Sequence, residues 1–194
     1  MPNLPISQLP PISASTLGYL SSDAEFAVAQ SGTTYKVSSG ALTRGNLYRS
    51  FLQSSSQSGF TANVAYSVSA STTSLNNGIN VLDSCKFTVS SAGTYNLQFS
   101  LQLNKLQGGS SENIDIWLSK NGSNVPDSNT RLTLANNNNL LVAAWNFIEF
   151  LNAGEFLELK ISVTDPEIVI YSLPTQTTPT RPAIPSAIVT LTQI

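Results

Sequence analysis

Alternating apolar and polar residues predict a β-strand over residues 93–104. In GTYNLQFSLQLN, apolar side chains from Tyr95 to Leu103 alternate with Asn, Gln and Ser, which is the two-residue period of a strand with one buried face. The second face is polar but carries no charge. Neutral amides and hydroxyls cost far less to desolvate than charged groups do. We therefore interpret this face as a contact with a neighbouring subunit; the alternative is a solvated face that happens to be uncharged.

The same pattern recurs along most of the chain in short segments separated by turn signals such as Asn77-Gly78 and Asn121-Gly122. We predict strands over 60–69, 79–82, 84–90, 93–104, 113–120, 130–134, 140–151, 155–163, 167–173 and 186–193. Short strands in this number, without long helices between them, are typical of an all-β sandwich or barrel. A jelly roll fits the strand count best.

Two stretches carry finer expectations. Asn121-Gly122 is the preferred pair for a tight hairpin turn that needs positive φ at both positions. The stretch WNFIEFLNAGEFLELKISV predicts two strands joined as a hairpin around residues 152–154. Its second strand places Leu157, Leu159, Ile161 and Val163 on one face, where they would anchor the core.

The first 59 residues have a different pattern from the rest. Residues 1–22 contain repeated prolines, which forbid a continuous helix or an internal strand, and so predict an extended N-terminal arm. Residues 23–59 predict a small β-hairpin in EFAVAQSGTTYKVS, a short helix in SSGALTRGNLYRSFLQ and a Ser-rich linker at 53–59. We place the domain boundary at that linker, and a jelly-roll domain over 60–194, which the resemblance described below implies to be a trimerisation domain.

Composition excludes several classes of function. Charged residues are 10% of the chain and the net charge is -2, against roughly 25% charged residues in ordinary domains, and no basic cluster predicts nucleic-acid binding. The single cysteine excludes an intrachain disulfide, and the absence of histidine excludes Ser-His and Cys-His nucleophile pairs. The carboxylates form no pair with the spacing of a glycosidase, and Asp127 with Asn129, or Asp165 with Glu167, matches only part of a calcium loop. We expect no enzymatic activity, no cofactor and no metal.

No apolar run approaches the length of a membrane span, and the N-terminus lacks the pattern of a secretory leader. We therefore expect no membrane insertion, and synthesis in a cytoplasm.

Four pieces of the C-terminal region resemble a known family. FTVSSAGTYNLQFSLQLNK, IDIWLSKNGSNVPDSNTRLTL, AAWNFIEFLNAGEFLELKISVTD and PAIPSAIVTLTQI resemble the C1q/TNF-like jelly rolls of bacteriophage, especially cyanophage, virion proteins. The resemblance implies a homotrimer that buries aromatic and aliphatic faces and the last strand near a threefold axis. The residues it implies for the trimer interface are Tyr95, Phe99, Trp117, Trp145, Phe147, Ile188 and Ile194.

The N-terminal region carries a second resemblance. LPISQLPP, followed by EFAVAQSGTTYKVS, resembles the N-terminal segment of phage tail and head-fibre proteins, which implies virion attachment. The residues implied for attachment, either by that match or as apolar positions of the arm, are Leu4, Ile6, Ser7, Gln8, Leu9, Pro10 and Ile12. The alternative for residues 1–22 is a tail with no binding role.

Together these patterns predict a non-enzymatic, trimeric capsid decoration or cement protein of a virion, assembled in the host cytoplasm. Its partners would be the major capsid protein or another virion protein, bound through the N-terminal arm. A tail-fibre or baseplate component that binds a host surface receptor or glycan is the alternative; the sequence shows no collagen-like or coiled-coil stalk, which favours the decoration role. A carbohydrate-active enzyme is the weakest alternative.

Overall fold

A computed structural model describes residues 25–30, 33–38, 47–135 and 139–194. Every regular element in these residues is a β-strand, and the chain divides into two compact units, residues 1–45 and 46–194. The strands in chain order are β1 Glu25–Gln30, β2 Thr33–Ser38, β3 Tyr48–Gln53, β4 Tyr66–Ser67, β5 Thr72–Asn77, β6 Ile79–Leu82, β7 Lys86–Val89, β8 Gly93–Lys105, β9 Glu112–Lys120, β10 Ser123–Asn124, β11 Thr130–Leu134, β12 Leu141–Leu151, β13 Phe156–Val163, β14 Ile168–Ile170, β15 Gln176–Thr177, β16 Thr180–Arg181 and β17 Ala187–Gln193. The predicted all-β class is confirmed.

The smaller unit contains the predicted hairpin. β1 pairs antiparallel with β2, so that Phe26 lies opposite Val37 and Gln30 lies opposite Thr33. The hairpin predicted from EFAVAQSGTTYKVS is therefore confirmed. The predicted arm, residues 1–22, lies outside the described residues.

The described part of the larger unit is a sandwich of two antiparallel sheets, with a separate two-stranded sheet of β15 and β16. The six-stranded sheet has the order β12-β8-β17-β3-β5, with β14 added to β8; the seven-stranded sheet has the order β10-β9-β13-β7-β6, with β11 added to β9 and β4 to β13. Long strands alternate between the sheets along the chain: β8 and β12 lie in the first, β9 and β13 in the second. This alternation is the connectivity of a jelly roll, so the predicted fold is confirmed.

The core lies between the two sheets. Leu97 and Leu101 of β8 belong to the same core cluster as Ile116 of β9 and Leu159 of β13, and all four side chains are fully buried. Burial of each such side chain contributes about 1.5–3 kcal/mol. Leu157, Leu159, Ile161 and Val163 are all at most 1% exposed, so their predicted place in the core is confirmed.

The structure corrects the predicted helix before residue 53. Tyr48–Gln53 is strand β3, and it lies between β17 and β5 in the six-stranded sheet. Phe51 at its centre is fully buried, with its ring centroid 4.7 Å from that of Phe87 in the opposite sheet. The sandwich therefore needs residues that the sequence pattern had assigned to an attachment segment.

The Ser-rich stretch 53–59 is also part of the sandwich. The backbone N–H of Gln57 donates to the carbonyl of Ile170 at 2.8 Å, and the N–H of Ile170 donates back at 3.0 Å. The buried Ser186 hydroxyl donates to the carbonyl of Ser55 at 2.7 Å. A linker would not have its backbone hydrogen bonds satisfied in this way, and the compact unit begins at Asn46.

The stretch around residues 152–154 is not a hairpin. β12 belongs to the six-stranded sheet and β13 to the seven-stranded sheet, so residues 152–155 carry the chain from one sheet to the other. Glu155 holds this turn, because its carboxylate accepts from the backbone N–H of Asn152 at 2.7 Å. The two strands were predicted correctly, but their pairing was not.

Other strand predictions differ in extent. Only Tyr66–Ser67 of the predicted strand 60–69 pairs in a sheet, and β5 at residues 72–77 was not predicted. The strand predicted over 167–173 is shortened to Ile168–Ile170.

The turn at Asn121-Gly122 has the predicted geometry, with φ of 51° and 82°. Gly122→Val is expected to lower the free energy of unfolding by about 1–2 kcal/mol, because a side chain at positive φ clashes with its own backbone. No atom lies within 4 Å of the added Cβ at Gly122, so the loss measures backbone strain alone. Chemical denaturation measures it.

Gly109→Val is the matched control. Gly109 also has open space around the added Cβ but does not have a positive φ, so its substitution should change the free energy of unfolding little. Equal losses in the two variants would contradict the assignment.

Candidate functional site

The two sheets differ in the charge of their outward faces. On the seven-stranded sheet, Arg131 forms a bidentate pair with Asp115, with Nη2 to Oδ2 at 2.8 Å, and Lys160 lies 3.1 Å from Glu158. Hydrogen bonds from Arg131 hold the pKa of the Asp115 carboxyl below its usual value. The Arg131–Asp115 pair, in which Arg131 is exposed, is typical of a surface in contact with water.

The outward face of the six-stranded sheet has no charged side chain among the described residues. Strand pairing sets which residues share it, because directly opposed residues in antiparallel strands point the same way. Its side chains are Tyr48, Ser50 and Leu52 of β3, Thr72, Leu75 and Asn77 of β5, Thr94, Asn96, Gln98, Ser100 and Gln102 of β8, Val142, Ala144, Asn146, Ile148 and Phe150 of β12, and Ile188, Thr190 and Thr192 of β17. We call this surface the uncharged face.

The uncharged face combines amides and hydroxyls with exposed apolar groups. Leu75, Val142, Ile148 and Phe150 are each more than half exposed, and Ile188 is 42% exposed. Between them lie side-chain amides such as that of Asn146, which donates to Asn96 Oδ1 at 3.1 Å. A surface of this composition loses little on desolvation and gains from burial of its apolar area.

β12 forms one edge of the six-stranded sheet. Among the described residues, no strand pairs with its outer edge. Its sequence, LVAAWNFIEFL, is eleven residues long and has no proline or lysine, which are the residues that normally protect a free edge. Glu149 is its one charged residue. A long apolar edge of this kind calls for a partner that covers it.

The structure places two of the predicted interface residues at the uncharged face or beside it. Ile188 lies on the face in β17. Ile194 follows β17, is 63% exposed, and its backbone N–H donates to the carbonyl of Thr94 at 3.0 Å.

Two predicted interface residues lie in the core instead. Tyr95 is fully buried on the inward face of β8, and its hydroxyl donates to the carbonyl of Ser91 at 2.7 Å. Phe99 is 5% exposed on the same inward face. Both point away from the uncharged face, so their assignment to the interface is corrected.

Trp145 and Phe147 lie on the inward face of the edge strand β12. They are half-buried and pack against Phe99, with ring centroids 4.6 Å and 6.1 Å away. The buried Trp145 Nε1 has no hydrogen-bond partner in the described part of the chain. These side chains close the core at the free edge rather than projecting from the uncharged face.

Trp117 lies on the opposite side of the sandwich, on the outward face of the seven-stranded sheet. Its Nε1 donates to Asn124 Oδ1 at 2.8 Å. The structure therefore does not bring all seven predicted interface residues together. The predicted attachment residues in the arm, from Leu4 to Ile12, lie outside the described residues.

Sequence reasoning found the uncharged face only in β8. The same neutral alternation is present in AIVTLTQ of β17. YRSFLQ of β3 does not show it, because it contains Arg49, and it was interpreted as a helix. The residues of the uncharged face that the sequence pattern did not reveal include Leu52 and Leu75. Their position on the face depends on which distant strands pair with each other.

A buried lysine forms two ion pairs at one end of the sandwich. The fully buried Lys105 ammonium lies 2.9 Å from Asp165 and 3.4 Å from Glu112, and it donates to the carbonyl of Ser110 at 3.0 Å. The hydrogen bond to Asp165 raises the pKa of Lys105. The pKa of Asp165 is lowered, first by the backbone N–H of Glu167, and that of Glu112 is lowered, first by Ser110.

These pKa directions predict acid sensitivity. A carboxyl whose pKa is lowered by folding stabilises the fold above its unfolded pKa of about 4, and this contribution is lost as the pH falls through the lowered folded value. Lys105→Met is expected to be less stable at pH 7 and to lose less stability between neutral and acid pH than the parent. Denaturation curves across that range measure both the stability at pH 7 and its loss in acid.

Lys86→Met is the control. It removes a lysine from an exposed pair with Asp83 and should behave like the parent. If the two variants behave alike, the stabilising role assigned to Lys105 is wrong.

In the described part of the chain, no group of three or more Cys, Asp or Glu side chains could hold a metal ion. No helix found there is long and apolar enough to span a membrane.

Comparison with solved structures finds murine APRIL, a jelly-roll protein of the tumour-necrosis-factor family. Its crystal structure at pH 5.0 matches with 9% sequence identity and a TM-score of 0.46, covering 77% of this chain and 99% of that chain. The structure at pH 8.5 matches with 12% identity and the same score and coverage. No family model matches the chain, and no curated protein matches it.

Proposed function

We propose that this chain is a non-enzymatic structural protein that forms a homotrimer through the uncharged face and the free edge of β12, and that the trimer decorates a virion. The observation that carries the assembly proposal is the contrast between the two sheets. One outward face has paired charges such as Asp115 and Arg131, and the other has none among the described residues.

The size of the uncharged face suits an interface. Five strands spaced about 4.8 Å apart, each contributing roughly 25 Å of length, give a face of roughly 600 Å² in projection. One partner buries about 800 Å² in a standard interface. Because no ionised group lies on the described part of this face, most of the apolar burial at Ile148, Phe150 and Ile188 would count toward association.

A ring of subunits would cover both the uncharged face and the free edge of β12. A twofold contact of face on face would leave the β12 edge uncovered. A contact in which the β12 edge of one subunit meets the uncharged face of the next covers both, and a heterologous contact of this kind forms a ring where its rotation closes. The resemblance of the four C-terminal sequence pieces to C1q/TNF-like jelly rolls favours three subunits.

The virion role is supported by the N-terminal sequence. The resemblance of LPISQLPP to phage attachment segments supports it, and the apolar positions of the arm, Leu4, Ile6, Leu9 and Ile12, would be the anchors on the major capsid protein or another virion protein. Three arms on one trimer would bind with avidity greater than that of a single arm.

Copy number tests the virion role. Quantitative staining of purified particles should give a copy number comparable to that of the major capsid protein. A chain that begins at Asn46 should keep its assembly state but fail to attach to particles. If the shortened chain still occupies all its sites on the particle, the proposal that the arm is the anchor fails. A small copy number of the full chain would place the protein on the tail or at one vertex.

A tail-fibre or baseplate component that binds a host surface receptor or glycan is the second candidate. The observation that favours it is a cleft beside Trp117, on the outward face of the seven-stranded sheet. That face is not used by the proposed trimer contact.

A further inference from the structure

A shallow cleft of about 360 Å³ opens on the outward face of the seven-stranded sheet. Its floor is formed by β9 and β13, and one wall is the loop that follows β10. Trp117, Asp115, Asn124, Asp127 and Asn129 contribute its chemistry. The cleft lies on the other side of the sandwich from the uncharged face, so it stays accessible in the proposed trimer.

Trp117 is the aromatic wall of the cleft. It lies on the outward face of β9, opposite Lys160 of β13, and its side chain is half-buried there rather than packed in the core. The hydrogen bond from its Nε1 to Asn124 Oδ1, at 2.8 Å, fixes the ring orientation. A large ring held in place at the solvent has no core role to explain it.

The loop beside Trp117 is pinned to the sheet. The buried Ser128 hydroxyl donates to the carbonyl of Val125 at 2.8 Å and accepts from the backbone N–H of Leu118 at 3.1 Å. The N–H of Val125 donates to the carbonyl of Leu118 at 2.9 Å. The backbone that carries the polar side chains of this loop is therefore held in place, which lowers the cost of ordering it around a ligand.

The polar groups of the cleft supply both acceptors and donors. Asp115 is held by Arg131 and by Asn129 Nδ2, at 3.1 Å. Asp127 has a φ of 58° and is exposed, and no hydrogen bond or ion pair holds its carboxylate within the described residues. The Asn124 side-chain N–H groups and the Asn129 Oδ1 also remain available.

We propose that this cleft binds a neutral saccharide, with one face of the sugar ring stacked on Trp117 and its hydroxyls bonded to Asp127, Asn124 and Asn129. A pyranose has an apolar C–H face and a rim of hydroxyls that both donate and accept. The cleft matches it with a ring face and a mixed set of carboxylate and amide groups. The carboxylate of Asp127 has no cation paired with it in the described residues, and it disfavours sialic acids and uronic acids through like-charge repulsion.

The inference rests on the receptor-binding candidate of the preceding subsection and names its ligand class. Its test is nevertheless separate from the test of trimer assembly, because the variants lie on different sheets. Assembly is read from particle mass, and saccharide binding from a ligand titration.

The test is titration of the full chain with lactose, maltotriose, mannotriose and chitotriose, followed by saturation-transfer NMR and tryptophan fluorescence. At least one of these sugars should bind with a dissociation constant of about 0.1–10 mM, and sialyllactose should bind more weakly than lactose. Trp117→Ala and Asp127→Asn should each weaken binding about tenfold or more, while Trp117→Phe should retain most of it.

Phe156→Ala is the matched control, since it removes another half-buried ring from the outward face of the same sheet. It should leave binding unchanged, and so should addition or chelation of calcium. The proposal is overturned if none of the four neutral sugars binds, if Trp117→Ala binds as well as the parent, or if sialyllactose binds more tightly than lactose. Circular dichroism of each variant shows that the fold is intact.

Discussion

Ile148→Glu is expected to convert the proposed homotrimer into single chains. Ile148 is 58% exposed on the uncharged face, opposite Asn96 of β8. In a trimer each subunit would bury one new carboxylate in a surface with no cation to pair with it, and the penalty for one unpaired buried ion is several kcal/mol. Light scattering at micromolar concentration should give three times the 20.7 kDa chain mass for the parent and a single chain mass for the variant.

Leu82→Glu provides the control on the other sheet. Leu82 is 55% exposed at the end of β6, so the change in residue and in exposure is closely matched. Its particle mass should equal that of the parent. If the parent itself is a single chain at micromolar concentration, the assembly proposal fails. If Leu82→Glu dissociates and Ile148→Glu does not, the interface is on the seven-stranded sheet.

The strand pattern could be predicted from the sequence because it is local. β8, β9, β11 and β13 each alternate with period two, and the structure places a strand at each position. Which strands pair with each other is not determined by the local sequence. The four residues between β12 and β13 have the same turn signals whether the chain folds back within one sheet or crosses to the other.

β3 was missed for a related reason. In NLYRSFLQ, apolar residues at 47, 51 and 52 fit one face of a helix about as well as they fit a strand. Its strand conformation is determined by β17 and β5, which pair with it on either side. Neither partner is adjacent to it in the sequence.

The interface residues show what alternation can and cannot predict. The alternation correctly places Tyr95 and Phe99 on one face of β8 and Asn96 and Gln98 on the other. The assignment of the aromatic face to the trimer contact came from the resemblance alone. The structure places Tyr95 and Phe99 in the core. The polar face that prompted the subunit-contact interpretation is the one that extends across five strands without a charge.

The two outward faces therefore suit different tasks. The uncharged face and the β12 edge suit contact with further copies of the chain, and the charged face of the seven-stranded sheet remains in solvent. In a ring built through the six-stranded sheet, each Trp117 cleft would point away from the assembly, once per subunit. Weak binding of a saccharide by one cleft would then gain from multivalency.

Removal of β3 is expected to abolish folding of the sandwich. A chain that begins at Phe60 loses a central strand, and Phe51 with it, whereas a chain that begins at Asn46 keeps both. Phe51→Ala in the full chain should cost about 3–5 kcal/mol, a large part of the 5–15 kcal/mol that a typical domain has. Denaturation in the Ile148→Glu background measures this without a contribution from assembly, and Leu82→Ala, at an exposed position, should cost little. If the chain from Phe60 unfolds with the same cooperativity and free energy as the chain from Asn46, residues 48–53 are dispensable and the domain begins where the sequence pattern had placed it.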